Sequence, residues 1–202
     1  MEDRKYILTN ETIKFNGHIL HRIKAVKNFD VFKKGELGGW IESEYNLSQE
    51  GNCWVSNNAM VYGNAAVYGN AWIFRNAKVY DYAKVYGNTW VYDNAIVYDN
   101  AVVYENAKVS GNAIVCAFAK VHGHTEICGD AVIQSESGYA VYKNTWSSFR
   151  YFTWTRSNNK WKVGCFYGTG DELIKKAYDD SEASGKCYEA IVKAQEIITN
   201  VK

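Results

Sequence analysis

Between residues 52 and 135 the chain repeats a pattern of six residues: a small residue, a β-branched aliphatic residue two places later, and a polar turn. The aliphatic position holds Val or Ile in fourteen consecutive hexads, and the small position is Ala in eleven of them. A period of six fits neither the 3.6-residue period of an α-helix nor the alternation of a simple hairpin. It fits a solenoid of short parallel strands, in which each hexad supplies one strand and one corner. The aliphatic positions are Val55, Val61, Val67, Ile73, Val79, Val85, Val91, Val97, Val103, Val109, Val115, Val121, Ile127 and Ile133.

The polar part of each hexad predicts the corner. Asn stands three residues after the aliphatic residue in nine of the fourteen hexads, usually behind Gly or Asp. Asn tolerates the left-handed backbone conformation that tight corners use. We therefore expect these asparagines to adopt that conformation.

The repeat resembles the hexapeptide-repeat family, whose spacing of an aliphatic residue and a small residue four places later is seen in Val61 with Ala65 and in Val97 with Ala101. This resemblance implies a mainly β fold, a left-handed parallel β-helix with three hexads per coil, over residues 46–136. It also implies homotrimers, because members of this family commonly associate side by side.

With three hexads per coil, residues eighteen apart lie above one another at about the 4.8 Å spacing of strands in a sheet. Trp54, Trp72 and Trp90 then form one outward column. Such an apolar stripe is typical of a surface that is covered either by a terminal domain of the same chain or by another copy of the chain. We predict that these tryptophans form the oligomer interface.

Two segments without hexads flank the repeat. Residues 1–45 alternate apolar and polar positions around Asn16-Gly17, which predicts an N-terminal β-hairpin cap. Residues 137–202 predict a small C-terminal α+β module of the type ββαα, with two strands on either side of residues 157–159. Its first helix begins with Thr169 and Glu172 in a capping box.

The combination of "GELGGWIESEYNLSQEG", the tyrosine-rich hexads and "VGCFYGTGDEL" is similar to uncharacterised proteins of bacteriophages and prophages. The resemblance implies a phage origin but brings no catalytic residue with it.

Composition narrows the classes of partner. The chain of 202 residues carries 23 basic and 22 acidic residues, which argues against binding to long nucleic acid. It has no run of about 18 apolar residues and no apolar leader after Met1, so we expect no membrane association. Five cysteines without CxxC spacing favour free thiols in the cytoplasm, which would be that of the host cell for a phage protein.

Enzymatic chemistry has two candidate residues, His122 and His124. The resemblance to hexapeptide-repeat acyltransferases implies a histidine general base, acetyl-CoA as acyl donor and a site completed by a neighbouring subunit. Against this function, the hexads run without the inserted loop that builds the acceptor site in those enzymes.

Metal chemistry is not expected, because the equivalent residues Cys116, His122 and Cys128 fall on different faces of the helix and point apart. Cys165 is predicted to be ordinary core, on the same strand face as Val163 and Tyr167.

The C-terminal module suggests a different function. Its cations and aromatic residues suit a nucleotide or another phosphate-bearing ligand, and the start of its first helix offers amide groups to an anion. The first hypothesis is therefore a non-enzymatic, cofactor-free phage protein that sequesters a nucleotide signal or binds a host protein; the alternative is the acyltransferase. The ligand-binding residues predicted for the first hypothesis are Arg150, Trp154, Arg156, Trp161, Lys162 and Thr169.

Overall fold

The computed structural model describes residues 4–201. It divides into two units, a solenoid unit that ends at Gly138 and a C-terminal unit that begins at Tyr139.

An antiparallel β-hairpin opens the solenoid unit. Strand β1 (Tyr6–Phe15) pairs with β2 (His18–Ala25) across Asn16 and Gly17, whose φ angles of 48° and 86° suit the tight turn. The predicted hairpin is thus confirmed. Strand β3 (Leu37–Ile41) pairs with β2, and a 3₁₀ turn (Glu44–Asn46) then leads the chain into the first coil.

Fourteen strands of two residues each form the solenoid itself. Each strand ends on one of the Val or Ile positions, so every hexad contributes one strand, as its period predicts. They are β4 (Trp54–Val55), β5 (Met60–Val61), β6 (Ala66–Val67), β7 (Trp72–Ile73), β8 (Lys78–Val79), β9 (Lys84–Val85), β10 (Trp90–Val91), β11 (Ile96–Val97), β12 (Val102–Val103), β13 (Lys108–Val109), β14 (Ile114–Val115), β15 (Lys120–Val121), β16 (Glu126–Ile127) and β17 (Val132–Ile133). A second 3₁₀ turn (Glu136–Gly138) closes the unit.

Every third strand joins the same parallel sheet, which confirms three hexads per coil. We call the sheet of β4, β7, β10, β13 and β16 the tryptophan face, and the sheet of β6, β9, β12 and β15 the histidine face. The remaining strands β5, β8, β11, β14 and β17 form the cap face, which β3, β2 and β1 extend at one edge. On the tryptophan face Trp54 lies opposite Trp72, and Trp72 opposite Trp90.

The aliphatic and small positions of the hexads fill the interior of the coils. Ala71 and Val79, for example, are fully buried, as is Thr89, which stands at a small position and donates its hydroxyl to the Tyr86 carbonyl. Burial of each Val contributes about 1.5–3 kcal/mol. The repeated residues therefore supply the core of the unit.

The left-handed corner residue lies one place earlier than predicted. Positive φ angles occur two residues after the aliphatic residue, at positions such as Gly63 and Asp93, and the assignment of this conformation to the following Asn was wrong. The asparagines instead bond to one another between coils. Asn76 donates to Asn94 at 3.2 Å, and Asn94 to Asn112 at 3.1 Å. An amide side chain suits this position because it can accept a hydrogen bond from the coil on one side and donate one to the coil on the other side.

Lys5 closes the edge of the first coil. Its side chain is 1% exposed, and its Nζ donates to the carbonyls of Cys53 at 2.9 Å and of Glu50 and Gly51 at 3.3 Å each. Desolvation by burial lowers the pKa of Lys5. The ammonium thus satisfies carbonyl groups that have no further coil to bond.

The C-terminal unit has two helices behind a four-stranded antiparallel sheet. The helices and the strand pair around residues 157–159 are as predicted, but the sheet gains one strand on each side. Its core combines Phe152, Trp154 and Trp161 with helix residues such as Leu173 and Val192. The elements are β18 (Tyr139–Lys143), β19 (Tyr151–Thr155), β20 (Lys160–Val163), β21 (Phe166–Gly168), α1 (Gly170–Asp180) and α2 (Glu182–Asn200).

Two further observations bear on the sequence expectations. Neither helix within residues 4–201 is long and apolar enough to cross a membrane. Cys165 is exposed rather than part of the core, because the strand pattern breaks at Gly164, whose φ is 53°, and Cys165 lies in the turn between β20 and β21.

Candidate functional site

His122 stands at the end of an aromatic ladder on the histidine face. Tyr68 stacks on Tyr86 with ring centroids 4.7 Å apart, and Tyr86 on Tyr104 at 5.4 Å. The His122 imidazole continues the ladder over Tyr104 at 5.1 Å, with 21° between the ring planes. The eighteen-residue repeat therefore fixes one face of the imidazole, and 44% of the His122 side chain remains exposed.

A carboxylate lies beside this imidazole. Glu105 Oε2 is 3.9 Å from Nδ1 of His122, and the same oxygen accepts the backbone N–H of Gly123 at 2.8 Å. Glu105 is itself a left-handed corner residue, with a φ of 62°. The backbone of the next coil thus holds the carboxylate beside the imidazole. Burial raises the pKa of Tyr104, and the Glu105 carboxylate adds to this effect.

Sequence reasoning identified His122 but missed Glu105. The signal was available in the register, because Glu105 stands eighteen residues before Gly123 and so lies directly below it. The second candidate, His124, falls on the line of Asn70, Asn88 and Asn106, which bond to one another along a corner at 3.0 and 3.3 Å. His124 therefore occupies a corner position rather than the aromatic ladder.

A second histidine–carboxylate pair, also missed, lies where the hairpin meets the cap face. Nδ1 of His18 is 2.9 Å from Glu42 Oε1, and Glu42 Oε2 accepts the N–H of Gly63 at 2.7 Å. Partial burial opposes ionisation of Glu42, but the hydrogen bonds from His18 and Gly63 outweigh it and lower the pKa of this carboxyl group. Tyr62 packs on the His18 ring at 5.0 Å. This pair joins the hairpin to the coils.

The three predicted interface tryptophans form the expected column but differ in exposure. Trp54 is 1% exposed because Phe29 and Phe32, from the segment between β2 and β3, pack on it at 5.2 and 5.4 Å. Phe32 also contacts Trp72 at 5.2 Å, whereas Trp90 remains 42% exposed. The N-terminal segment of the same chain thus covers one end of the column. Trp72 is half-buried and Trp90 is exposed, so the N-terminal segment leaves this part of the column uncovered.

The predicted ligand-binding residues of the C-terminal unit are not gathered in one place. Trp154 and Trp161 are buried in the core. Together with Arg156 they line a single cavity of about 180 Å³. The Arg156 guanidinium lies 5.7 Å from the Trp154 ring. Arg150 lines a separate cavity of about 310 Å³.

Two further members of that set have partners of their own. The Nζ of Lys162 donates to the Gly164 carbonyl at 2.5 Å. Thr169 forms the predicted capping box, in which its N–H donates to Glu172 Oε2 at 2.7 Å and its hydroxyl accepts from the Glu172 N–H. The carboxylate of Glu172 therefore already occupies the amide position that was predicted for an anionic ligand.

Metal ligands do not converge in the part of the chain that the structure describes, where no three His, Cys, Asp or Glu side chains form a group suited to an ion. Cys116, His122 and Cys128 follow β14, β15 and β16, which belong to three different sheets. The five cysteines are all free thiols.

The repeat is similar in sequence to known β-solenoid proteins. The family model described as YdcK Beta solenoid repeat matches residues 90–105, a stretch that begins at Trp90 and ends at Glu105. A curated protein of Escherichia coli (strain K12), "Uncharacterized acetyltransferase YdcK", is 37% identical over 73 residues. The matched stretch covers 32% of this chain and 22% of the length of that protein. The chain is therefore similar to β-solenoid repeat proteins of the YdcK type and is distantly related to that acetyltransferase over part of its length.

Proposed function

We propose that the solenoid unit is an acyltransferase that uses an acetyl-CoA-type thioester, with His122 as the general base. The observation that carries the proposal is the orientation of His122, held between the Tyr104 ring at 5.1 Å and the Glu105 carboxylate at 3.9 Å. The relationship to a protein named as an acetyltransferase supports the same reaction class.

The reaction needs only one proton carrier on the protein. His122 takes the proton from a hydroxyl or amine of the acceptor, whose oxygen or nitrogen then bonds to the thioester carbonyl carbon. The carbon–sulfur bond breaks, and the departing thiolate takes the proton from the imidazolium. Glu105 is a positioning residue, because its negative charge lies beside Nδ1 and stabilises the imidazolium that forms between these steps.

The site requires a second wall. The hexads run without an inserted loop, and His122 and Glu105 are 44% and 53% exposed in their side chains. We propose that a neighbouring copy of the chain supplies this wall in a homotrimer. The partly exposed Trp72 and Trp90 would contribute to the contact between copies.

The first hypothesis from the sequence, a phage protein that sequesters a nucleotide, has less support than acyl transfer. The comparisons support neither a phage origin nor an anti-defence role. In addition, the amide group of Thr169 already bonds to Glu172, and Trp154 and Trp161 are core residues.

The test is acetyl transfer measured by mass spectrometry of the free thiol product and the acetylated acceptor. Acceptors would be amino sugars, neutral sugars, amino acids and polyamines, each with acetyl-CoA. We expect His122→Gln to lower the rate about 10²–10⁴-fold, the usual contribution of a general base. Glu105→Gln should lower it by no more than about fivefold, because an ion pair between exposed side chains contributes about 0.2–1 kcal/mol.

The matched control is His21→Gln, which removes an imidazole from the hairpin, where its Nδ1 contacts the Thr9 carbonyl. Its activity should equal that of the unaltered chain. Absence of acetylated product with every acceptor overturns the proposal. Loss of activity in His124→Gln together with full activity in His122→Gln overturns the assignment of the base.

A further inference from the structure

The C-terminal unit contains a cavity of about 310 Å³ that the proposed acyl transfer does not use. It lies between the segment that joins β18 to β19, the turn between β20 and β21, and the two helices. Pockets for small organic molecules begin at about 300 Å³, so the cavity lies at the lower end of that range. It is formed within this unit and does not depend on His122 or on a second copy of the chain.

One side of the cavity is apolar. Leu173 and Ala177 of α1 are each 3% exposed, and the Tyr188 ring of α2 is 8% exposed. Val163 and Phe166, on either side of the turn between β20 and β21, complete this side. A hydrocarbon body placed there would lose its contact with water and gain packing against five apolar side chains.

The lining also carries positive charge on side chains that are exposed at its rim. Arg150 and Lys176 both line the cavity, together with one carboxylate, Asp180. Within residues 4–201, none of these three side chains forms an ion pair of 4 Å or less. Two cations against one carboxylate leave a net positive charge, and Arg and Lys are the side chains that bind oxyanions most strongly.

The wall that holds Arg150 is built by hydrogen bonds. Asn144 is 1% exposed, its Oδ1 accepts the N–H groups of Trp146 and Ser147, and its Nδ2 donates to the Tyr188 hydroxyl at 3.2 Å. The Asn144 N–H also donates to the Arg150 carbonyl at 2.8 Å. The backbone and side chain of Asn144 thus tie both ends of this segment to each other and to α2.

We propose that this cavity binds a small organic anion whose oxyanion head lies between Arg150 and Lys176 and whose apolar body lies on Leu173, Ala177 and Tyr188. The head is a carboxylate or a phosphate monoester, since both present paired oxygens to a guanidinium. The unit is then a ligand-binding module attached to the solenoid.

Cys165 provides a direct measure of occupancy. This thiol is exposed and lines the cavity, whereas Cys53 and Cys116 are buried in the solenoid. The probes are octanoate and octyl phosphate, with 1-octanol and octylamine as matched neutral and cationic compounds. The rate of Cys165 alkylation by iodoacetamide, followed by peptide mass spectrometry, is read beside the heat of binding from calorimetry.

We expect octanoate or octyl phosphate to slow alkylation of Cys165 at least fivefold at saturation, and octylamine and 1-octanol to leave it within twofold. Comparison of the two anions identifies the head group. Arg150→Gln and Lys176→Gln should each weaken binding about tenfold, which corresponds to about 1.4 kcal/mol. Lys175→Gln is the control, because it removes an exposed cation from the same helix that does not line the cavity.

Ser184→Phe tests the location, since Ser184 lines the cavity and is only half-buried, so the larger ring can enter the space from the rim. Binding should be lost while the melting temperature stays within a few degrees of that of the unaltered chain. The proposal is overturned when neither anion protects Cys165, when octylamine protects it equally, or when Lys175→Gln weakens binding as much as Arg150→Gln. None of these results bears on the acyltransferase proposal.

Discussion

The close approach of successive coils predicts that Gly87→Ala destabilises the solenoid. Gly87 is a left-handed corner residue with a φ of 78°, and a Cβ placed on it would lie 2.8 Å from both the backbone N and the backbone O of Glu105. These atoms belong to the corner of the next coil, so the added methyl group must push two coils apart. The Gly87 carbonyl also accepts the N–H of Asn70 at 2.9 Å, which restricts movement in the other direction.

The magnitude follows from three contributions. A left-handed conformation costs a residue with a Cβ about 1–2 kcal/mol. Alanine has less conformational freedom than glycine in the unfolded chain, which stabilises the folded state by about 0.4–1 kcal/mol. Overpacking against backbone adds about 1–3 kcal/mol. We therefore expect Gly87→Ala to lower the free energy of unfolding by about 1–4.5 kcal/mol, with about 3 kcal/mol at the centre of the range.

Gly123→Ala separates the steric contribution from the conformational one. Gly123 has nearly the same φ, 67°, but a Cβ there would meet only the Glu105 carboxylate oxygen at 3.9 Å. This substitution should cost about 1 kcal/mol, the conformational contribution alone.

The assay is urea unfolding followed by far-ultraviolet circular dichroism, with amide hydrogen exchange at the corner residues. Exchange should increase at Asn88, whose N–H donates to the Glu105 carbonyl at 2.6 Å, in Gly87→Ala but not in Gly123→Ala. Equal losses of stability in the two variants would refute the argument from close approach and leave backbone conformation as the cause.

Three further substitutions test the contacts described above. Asn94→Ala should lower the free energy of unfolding by about 1 kcal/mol in urea titrations, because it removes two hydrogen bonds between coils. The control is Asn64→Ala, at a corner where no side-chain hydrogen bond forms within the described residues. It should change the free energy of unfolding by less than about 0.5 kcal/mol. Glu42→Gln should flatten the acid limb of the stability curve: the lowered pKa of Glu42 stabilises the fold above the ordinary carboxyl value of 4.5, and this contribution is lost as the pH falls through the folded-state pKa. Acid titrations that match for both proteins would contradict this role. Lys5→Met should lower the melting temperature, because it leaves three carbonyl groups without their donor, and the exposed Lys14→Met should not.

The period of six predicted the solenoid because a repeated side chain must repeat its surroundings. Val79 and Ala71 could be assigned to the interior, and Trp72 to a column, from spacing alone. The same spacing could not place the left-handed residue, since Gly, Asp and Asn all tolerate that conformation. The choice between neighbouring corner positions depends on which side chain can bond to the next coil.

The hexad pattern could not predict contacts between segments that are distant in the sequence. Phe32 covers Trp54 from a connection that has no repeat, so the sequence could not say whether the column is covered by its own chain. The candidate site could be predicted only in part from the sequence. His122 was visible as an exception in a tyrosine position, and the role of Glu105 becomes clear only when the coils are stacked.

The stacking of side chains at an interval of eighteen residues limits how a chain of this kind can change its length. Duplication of three hexads inserts a complete coil, so each amide row and each aromatic row grows by one member and every later hexad stays in its own sheet. Duplication of a single hexad moves every later hexad to the next of the three sheets. Where the extra hexad lies between a carboxylate and the imidazole beside it, the two groups are separated although every core position keeps its residue. Homologous chains should therefore differ in length by whole coils, and shorter insertions should occur only at the corners, where they protrude.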